Sequence, residues 1–279
     1  MMMQRRKTMA LITVNYLSKA LFRTVTVNVI LPADKISFAT MDYSMKPGKK
    51  FKTLYLLHGL LGNYTDWVSG TRIQRWAEEK GIAVVMPSGD NAFYVNGVTP
   101  NNDYGTFIGE ELPQVMERMF PLSSKREDRY IAGLSMGGFG ALRNGLKYSE
   151  TFSHIAVLSG ALQILEPGPD NIAGEHLIFG DFETAAKSDK NPRVAMKELI
   201  EEGRTKPEIY MATGLSDSLI EADRMYRDLL AENGFHVLWD EEPGAHEWDF
   251  WDRQIRKILD WLPLDETDQG MNSGNVRTE

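Results

Sequence analysis

The stretch YIAGLSMGGFGALRNGL, residues 130–146, surrounds a single serine with five glycines and decides the fold. The residues before the serine are typical of a strand, and those after it are typical of a helix. Residues 133–137 fit the pattern G-x-S-x-G, in which a serine occupies a sharp, strained turn between a strand and a helix. Glycine on both sides removes the Cβ atoms that would collide there. We therefore predict that Ser135 lies at the carboxyl end of a strand, with its hydroxyl available for chemistry.

The pattern alone is weak evidence for a nucleophile. Glycine and serine at roughly 7% each would produce it by chance in about one chain of this length in ten. The alternative is a glycine-rich loop that holds an ordinary serine. The strand before Ser135 and the helix after it favour the nucleophile, because the strained turn requires both.

Strand-like and helix-like segments alternate along most of the chain. The predicted strands, rich in β-branched and aliphatic residues, are 24–31, 53–57, 82–87, 130–132, 155–158, 209–213 and 235–240. Amphipathic stretches lie between many of them, such as the one at 219–234. From residue 53 onward this alternation predicts an α/β fold, a mostly parallel twisted sheet with helices on both faces. The β-rich N-terminal segments predict an antiparallel edge.

One domain is expected over residues 1–264. A chain of 279 residues with 42% hydrophobic side chains can form a single core of this class. Residues 161–207 break the alternation and are rich in Pro, Gly, Asp and Lys, so we predict a cap-like insertion before the strand at 209–213. The tail, residues 265–279, has almost no apolar side chains and is predicted to be disordered.

Composition argues against several classes of function. The 39 acidic and 31 basic residues give a net charge of -8, which repels nucleic acid and anionic membranes, so neither is an expected partner. The absence of cysteine excludes disulfides and thiolate nucleophiles and agrees with a reducing compartment. Arg5, Arg6 and Lys7 precede an apolar run, as in a signal peptide, but polar residues interrupt that run and β-rich sequence follows. We predict a cytoplasmic protein that acts on a small molecule, with homo-oligomerisation left open.

A serine hydroxyl needs a base within hydrogen-bond distance, and the base needs an acid to orient it. The histidines available are His58, His154, His176, His236 and His246. The last of these follows the final predicted strand in a loop with Pro and Gly, so it can reach over the strand ends. The others adjoin or lie within predicted strands, where a packed imidazole is expected, or lie in the insertion. We therefore predict His246 as the base.

The acid is expected between the serine and the histidine along the chain, in a loop after a strand. Asp217, in the segment EIYMATGLSDSLIEADR (208–224), meets both conditions. It could instead cap the helix that starts near Leu219, since aspartate is favoured at helix N-termini. Asp223 is the less favoured candidate because it lies inside that predicted helix.

The oxyanion that develops during acyl transfer needs backbone N–H donors. One donor is the amide after the nucleophile, that of Met136, and the second is expected in an upstream loop. The stretch LYLLHGLLGN (54–63) leaves a strand and turns at His58 and Gly59. We therefore predict the Leu60 amide as the second donor, with His58 shaping the loop without taking a proton.

Trp67 and Trp248 are predicted to contact the substrate, with packing as the alternative for each. Zinc chemistry is not supported, because the position that the pattern H-E-x-x-H requires to be histidine after His246 is Phe250. Neither a metal nor a cofactor is predicted.

Several segments resemble the bacterial tributyrin esterases. That group is similar to esterase D (S-formylglutathione hydrolase), to feruloyl and acetyl xylan esterases and to mycolyltransferases. The segments are YLLHGLLGN (55–63), VVMPSGDN (84–91), EELPQVMERMFP (110–121), SKREDRYIAGLSMGGFGAL (124–142), SHIAVLSGAL (153–162) and GAHEWDFWDRQI (244–255). The resemblance runs from the first strand to about Pro263 and implies an α/β-hydrolase fold with the catalytic side chains at Ser135, Asp217 and His246. It places the oxyanion donors on the amides of Leu60 and Met136.

The resemblance implies hydrolysis of short acyl esters, from acetyl to butyryl, without a cofactor. Tributyrin and acetylated or feruloylated carbohydrates are substrates of this kind. Two alternatives remain open. The same triad could transfer the acyl group to an alcohol acceptor, or the fold could serve as a binding module without chemistry.

Overall fold

Eight strands form one mixed sheet in the computed structural model, which describes residues 10–33, 48–166 and 176–265. The strands are β1 (Ala10–Ser18), β2 (Arg23–Leu31), β3 (Thr53–Leu57), β4 (Ala83–Pro87), β5 (Arg129–Leu134), β6 (His154–Leu158), β7 (Glu208–Gly214) and β8 (Val237–Glu242). Their order is β1-β2-β4-β3-β5-β6-β7-β8. The hairpin of β1 and β2 is antiparallel and joins β4 antiparallel, whereas β4, β3, β5, β6, β7 and β8 run parallel. The predicted fold class and the antiparallel edge are confirmed.

Helices occupy most of the segments between the parallel strands. They are α1 (Asp66–Gly70), α2 (Ile73–Lys80), α3 (Tyr104–Thr106), α4 (Leu112–Met119), α5 (Met136–Lys147), α6 (His176–Phe179), α7 (Phe182–Ala186), α8 (Pro192–Glu201), α9 (Ile220–Glu232) and α10 (Trp248–Trp261). A π-helical turn, Phe107–Glu111, joins α3 to α4, and short 3₁₀ turns lie at Arg126–Asp128 and Leu162–Leu165. Local sequence explains the start of α8, where the Asn191 side chain accepts a hydrogen bond from the Arg193 amide and proline occupies the first helical position.

The central strands of the sheet are buried on both faces, which gives them their continuous apolar sequences. In β3, Tyr55 and Leu57 enter one core while Leu54 and Leu56 enter the other. The first core is covered by α4, α5, α8 and α9, and the second by α1, α2 and α10. This two-sided burial holds the parallel strands rigid and aligns their carboxyl ends along one edge.

The described part of the predicted insertion contains α6, α7 and α8 and is anchored to the core. Arg143 of α5 is buried, and its guanidinium donates to the backbone carbonyl and the carboxylate of Asp189, at 2.8 and 2.9 Å. Phe179 of α6 packs against Phe93 and Phe139. Residues 167–175 and 266–279 lie outside the described residues, so the disordered tail and the division of the chain into one domain stay predictions.

Loops that follow β3, β5, β6, β7 and β8 leave the sheet at the same edge, because these strands are parallel. Ligands of open α/β sheets bind beyond the carboxyl ends of the strands. The predicted site residues are on these loops: Leu60 after β3, Ser135 after β5, Asp217 after β7 and His246 after β8.

Candidate active site

Ser135 occupies a strained turn between β5 and α5. Its backbone has φ 55° and ψ -118°, a conformation that residues with a Cβ rarely adopt. The flanking glycines are required sterically: a Cβ on Gly133 would lie 2.2 Å from the carbonyl oxygen of Gly137, and one on Gly137 would lie 2.4 Å from that of Leu57. The strand, the turn and the helix therefore enclose the serine so closely that only glycine fits on either side.

Asp217 and His246 meet although 29 positions separate them in the chain. The imidazole Nδ1 lies 2.9 Å from Asp217 Oδ2. An ionised carboxylate only accepts, so the Nδ1–H donates and the other ring nitrogen, Nε2, is left to accept a proton. The side chain of Asp217 has no exposed surface, whereas that of His246 is 38% exposed at the edge of the sheet.

Hydrogen bonds keep Asp217 ionised despite its burial. Burial by itself would raise the pKa of the carboxyl, but hydrogen bonds from the His246 imidazole, the Leu219 amide and the Ser159 hydroxyl hold that pKa below its ordinary value. The Leu219 amide donates to Oδ1 at 3.0 Å, one residue before α9 begins. The two interpretations of Asp217 from sequence are thus compatible, because one oxygen binds the start of the helix while the other binds the histidine.

Asp223 lies inside α9 and has different partners. Its Oδ2 accepts hydrogen bonds from the Gly160 amide at 2.9 Å and from the Thr213 hydroxyl. The carboxyl is fully buried, which raises its pKa well above the ordinary value, and the nearby Asp217 raises it further. Asp223 therefore anchors the loop after β6 through its bond to Gly160.

His58 clamps the loop that follows β3. Its Nδ1 lies 2.7 Å from the Gly59 carbonyl oxygen, and its Nε2 accepts from the Gly89 amide at 2.8 Å. A carbonyl can only accept and an amide N–H can only donate, so the proton of this neutral imidazole is on Nδ1. Burial lowers the pKa of His58, which keeps the ring neutral. The Tyr94 hydroxyl also donates to the His58 carbonyl, at 2.9 Å.

The hydrogen bond between His58 and the Gly59 carbonyl fixes the direction of the Leu60 amide. The Gly59 carbonyl and the Leu60 N–H belong to one planar trans peptide, in which the two groups point in opposite directions. Because His58 holds the carbonyl, the amide is directed to the other side of the chain. Gly59 itself lies beside the nucleophile, since a Cβ built on it would be 3.5 Å from Ser135 Cβ. Met136, the other expected donor, is the first residue of α5, where helical N–H groups have no partner within the helix.

The tryptophans predicted to contact the substrate form a packed row behind the histidine. Trp67 is 1% exposed, and its indole N–H donates to the Leu57 carbonyl at 2.9 Å. The assignment of Trp67 to the substrate was therefore wrong, because the core encloses the ring. Trp248 is half-buried and packs edge-on against Trp67 and Trp251, with ring centroids 5.7 and 5.1 Å apart. A contact of Trp248 with the substrate stays a prediction.

The remaining histidines have other surroundings. His154 packs against the rings of Tyr130 and Trp261 at the amino end of β6, as expected for a structural imidazole. His236 was predicted to be packed inside a strand, but it precedes β8, its side chain is 73% exposed, and its Nδ1 lies 2.5 Å from Glu208. That expectation was wrong because β8 is the last strand of the described sheet and has no buried residue, so a ring at its start faces solvent. The side chain of His176 lies outside the described residues.

Two residues near the acid were not assigned from the sequence. Ser159, in the loop after β6, is fully buried, and its hydroxyl contributes to the lowered pKa of Asp217. Trp251 donates its indole N–H to Ser159 Oγ at 3.1 Å, and its ring packs perpendicular to that of His246 with centroids 4.9 Å apart. The signal available for both was their place in the segments SHIAVLSGAL and GAHEWDFWDRQI, which carry the family resemblance.

The described residues contain neither a metal-binding cluster nor a membrane-spanning helix. Over the ranges 10–33, 48–166 and 176–265, no group of three or more His, Cys, Asp or Glu residues is arranged to hold a metal ion. The same part of the chain contains no helix that is both long and apolar enough to span a bilayer.

Comparison with known proteins identifies relatives over almost the whole chain. The family model described as "Putative esterase" matches residues 18–262. The chain is similar to an acetyl esterase of Caldicellulosiruptor saccharolyticus, with 38% identity over 272 residues that cover 91% of this chain and 98% of the relative. It is also similar to diacylglycerol acyltransferase/mycolyltransferase Ag85A of Mycobacterium leprae, with 25% identity over 76% of this chain and 74% of the relative. Among solved structures, FphF, a fluorophosphonate-binding serine hydrolase of Staphylococcus aureus, superposes with a TM-score of 0.81 at 28% identity, over 92% of this chain and 99% of that one.

Proposed function

Because the chain belongs to the esterase family of α/β-hydrolases, we propose that it is a serine carboxylesterase that hydrolyses short-chain acyl esters through an acyl-enzyme on Ser135. The observation that carries the proposal is the hydrogen bond of 2.9 Å between His246 Nδ1 and the buried carboxylate of Asp217. It lies at the sheet edge where Ser135 occupies its strained turn. Acyl transfer requires an imidazole that is oriented by a carboxylate and can reach a serine at a nucleophile turn, and these three residues follow parallel strands at the same edge of the sheet.

In the first step the Ser135 oxygen attacks the ester carbonyl carbon while its proton moves to His246 Nε2. Asp217 holds the Nδ1–H tautomer and stabilises the imidazolium that forms. The carbonyl oxygen becomes an oxyanion, which receives hydrogen bonds from the amides of Leu60 and Met136. The imidazolium then gives its proton to the leaving alcohol, the carbon–oxygen bond to that alcohol breaks, and the acyl group remains on the serine.

In the second step water replaces the alcohol. The imidazole takes a proton from water, the hydroxide attacks the acyl carbon, and the same two amides stabilise the second oxyanion. Collapse of that intermediate releases the carboxylic acid and returns the proton to Ser135. Each oxyanion donor contributes on the order of 3 kcal/mol, about a hundredfold in rate. The cycle consumes one water and uses no cofactor.

The proposed substrates are esters of acetyl to butyryl groups, on tributyrin-like glycerides or acetylated carbohydrates, together with feruloylated carbohydrates. The similarity to an acetyl esterase supports the short end of this range. We also propose a cytoplasmic location and neither nucleic acid nor membrane as partner, which the net charge of -8 and the lack of cysteine support.

A labelling and hydrolysis experiment tests the esterase proposal. The wild type, Ser135→Ala and the control Ser153→Ala are treated with a fluorophosphonate probe and assayed on p-nitrophenyl esters from acetyl to dodecanoyl. We expect labelling of Ser135, a maximum rate at or below butyryl, and a loss on the order of 10⁵ in turnover for Ser135→Ala alone. A label elsewhere, or full turnover in Ser135→Ala, would refute the assignment. A maximum at long chains would refute the short-acyl range.

An acyltransferase is the second candidate, favoured by the similarity to a mycolyltransferase. The same acyl-enzyme would form, and an alcohol would attack it in place of water. Product analysis with a short acyl ester and a sugar acceptor separates the two. Free acid as the main product supports the esterase, whereas acyl-sugar as the main product supports the transferase.

A further inference from the structure

Strand β1 forms one edge of the described sheet, and its sequence offers none of the usual protection against pairing with another strand. It runs for nine residues, Ala10–Ser18, and pairs with β2 alone among the described strands. Its pairing with β2 is continuous from Ala10 to Ser18, without a bulge. Its sequence, ALITVNYLS, contains no charged residue and no proline. Alternate N–H and C=O groups of β1 therefore point away from β2 and can pair with a further strand.

The opposite edge of the described sheet, β8, has a different composition. Half of its six residues are acidic: Asp240, Glu241 and Glu242. They form ion pairs with basic side chains of α9 and α10, and Lys257 binds two of them. Charged side chains discourage pairing at an edge strand. Of the two edges of the described sheet, β1 is therefore the one suited to accept another strand.

The outward face of β1 is symmetrical about its central residue, Val14. Leu11 and Leu17 are 40% and 71% exposed, and they lie three positions before and three positions after that residue. Thr13 and Asn15 lie between the two leucines on the same exposed face. The face therefore has the order apolar, polar, polar, apolar in both directions along the strand, so it matches a reversed copy of itself.

An antiparallel copy of β1 centred on Val14 places similar side chains opposite each other. Directly opposite residues of antiparallel strands lie on the same face of the sheet. In this arrangement, the centred register, Leu11 faces Leu17 of the second copy. Thr13 faces Asn15 of the second copy, and all nine residues have a partner. The next register that keeps the faces together would set one of the two leucines against a polar side chain and leave two of the nine residues unpaired.

The other face of β1 would extend the core across the contact. Ile12, Val14 and Tyr16 are half-buried and pack against the first core. In the centred register Ile12 faces Tyr16 of the second copy, and Val14 faces its own counterpart. Each of these apolar side chains thereby covers surface that a single copy leaves partly in water, which favours association.

Hydrogen bonds within one chain prepare the polar pair for this contact. The Asn28 amide nitrogen donates to the Tyr64 carbonyl at 3.1 Å, and the Asn28 amide oxygen accepts from the Thr13 hydroxyl at 2.7 Å. The Thr26 hydroxyl donates to the Asn15 amide oxygen at 2.7 Å. Asn15 therefore keeps amide N–H groups to donate, and Thr13 keeps a lone pair to accept. The centred register brings these complementary groups together without breaking a bond of either chain.

We propose that the protein forms a dimer in which the β1 strands of two copies pair antiparallel about a two-fold axis at Val14. The two eight-stranded sheets join into one continuous sheet. Its outer edges are the two charged β8 strands, so assembly closes at two copies. The inference is independent of the proposed function. Because the β1 strands are antiparallel, the carboxyl edges of the two sheets face opposite directions, and each candidate active site stays open.

Sedimentation velocity of the full chain tests the dimer. The wild type should sediment with twice the mass of one chain. Leu17→Lys should weaken the dimer at least about a hundredfold, because the leucine contact occurs twice in it. Leu238→Lys is the matched control, since Leu238 is an exposed leucine on the other edge strand, β8, and this variant should stay dimeric. A wild type that is monomeric at about 100 μM, an undiminished dimer in Leu17→Lys, or dissociation by Leu238→Lys would overturn the inference.

Disulfide cross-linking tests the register. The chain has no cysteine, so each introduced thiol is unique. Opposite residues of antiparallel strands have Cα atoms about 4.5–5.5 Å apart, within the range of a disulfide. Oxidation of Leu11→Cys mixed with Leu17→Cys should therefore give a covalent dimer. Either variant alone should not, because its two thiols would lie about 20 Å apart.

The control mixture pairs Leu11→Cys with Thr13→Cys, whose thiols are four positions out of register and should not cross-link. A covalent dimer formed as readily by this mixture, or by either leucine variant alone, would overturn the register. Neither measurement uses an ester. Leu17→Lys should also keep the kcat and KM of the wild type, so a failure of the proposed function and a failure of the dimer are observed separately.

Discussion

Replacement of His58 by phenylalanine should impair catalysis more than it impairs folding. Phenylalanine keeps the ring and its edge-on contact with Tyr94, whose centroid lies 5.8 Å away, but loses both ring nitrogens. The Gly59 carbonyl keeps a hydrogen bond from the Gly62 amide at 3.3 Å, so the group left without a partner is the buried Gly89 N–H. An unsatisfied buried amide costs about 1–3 kcal/mol, which sets the expected loss of stability.

The expected fall in kcat of His58→Phe follows from the loss of the Leu60 amide as an oxyanion donor. Without the imidazole, the Gly59 carbonyl keeps only the longer bond from the Gly62 amide, so the Leu60 amide in the same peptide is held less firmly in direction. Loss of one oxyanion donor lowers kcat about a hundredfold, or ~3 kcal/mol of transition-state stabilisation. KM should change little, because the oxyanion forms only in the transition state.

The assay compares kcat, KM and unfolding of wild type, His58→Phe and a matched control on p-nitrophenyl butyrate. His154→Phe is the control, since it replaces another largely buried imidazole, at the opposite end of the sheet. It should alter stability with kcat unchanged. A folded His58→Phe variant with kcat within about threefold of wild type would show that His58 does not orient the Leu60 amide.

Three further predictions concern the acid, acid stability and the turn. Asp217→Asn should lower kcat by about 10⁴, because the tautomer of the base is lost. Asp223→Asn should retain activity and be more stable than wild type at neutral pH. Because the pKa of Asp223 is raised in the folded protein, the unfolded chain releases this proton at a lower pH than the folded chain does, and that release favours unfolding. Burial lowers the pKa of His154 to about 4, so the unfolded chain binds a proton at higher pH than the folded chain does. The contribution of His154 to wild-type stability is full above pH 6.5 and should be lost between pH 6.5 and about 4. Thermal melts of His154→Phe should lack this part of the fall in stability. Gly137→Ala should lose ~3 kcal/mol in urea unfolding, or fail to fold, because its Cβ would meet the Leu57 carbonyl at 2.4 Å; wild-type stability in this variant would contradict the packing of the turn.

The parallel strands and the loops that carry the polar groups could be predicted because they follow short-range patterns. Apolar runs bounded by turn residues mark strands that are buried on both faces, and parallel strands bring their carboxyl ends to one edge. The predicted strand at 53–57 is β3, and Asp217 and His246 follow the strands expected to carry them. Chain order and loop position were enough to choose these two residues.

The roles of single aromatic and polar side chains were less predictable, because they depend on contacts between distant segments. Trp67 is a residue type that often lines pockets, but its indole N–H donates to the Leu57 carbonyl and its ring packs in the core. Nothing local distinguishes Ser159 from any serine after a strand, because its hydrogen-bond donor, Trp251, lies 92 positions later. The prediction for His236 was wrong because the position of β8 at the edge of the sheet, which local sequence does not show, leaves none of its residues buried.

The edge position of β8 links the candidate active site to a strand that pairs on one side only among the described strands. Among the described strands β8 pairs with β7 alone, and none of its residues is buried, whereas four of the five in β6 are. Marginal strands of this kind fray at lower free energy than the interior. Because His246 lies in the loop that follows β8, fraying of β8 would abolish turnover while the interior strands stay intact. On heating, loss of activity should therefore precede global unfolding, so that residual activity reports the loss of structure at β8 before the rest of the fold melts.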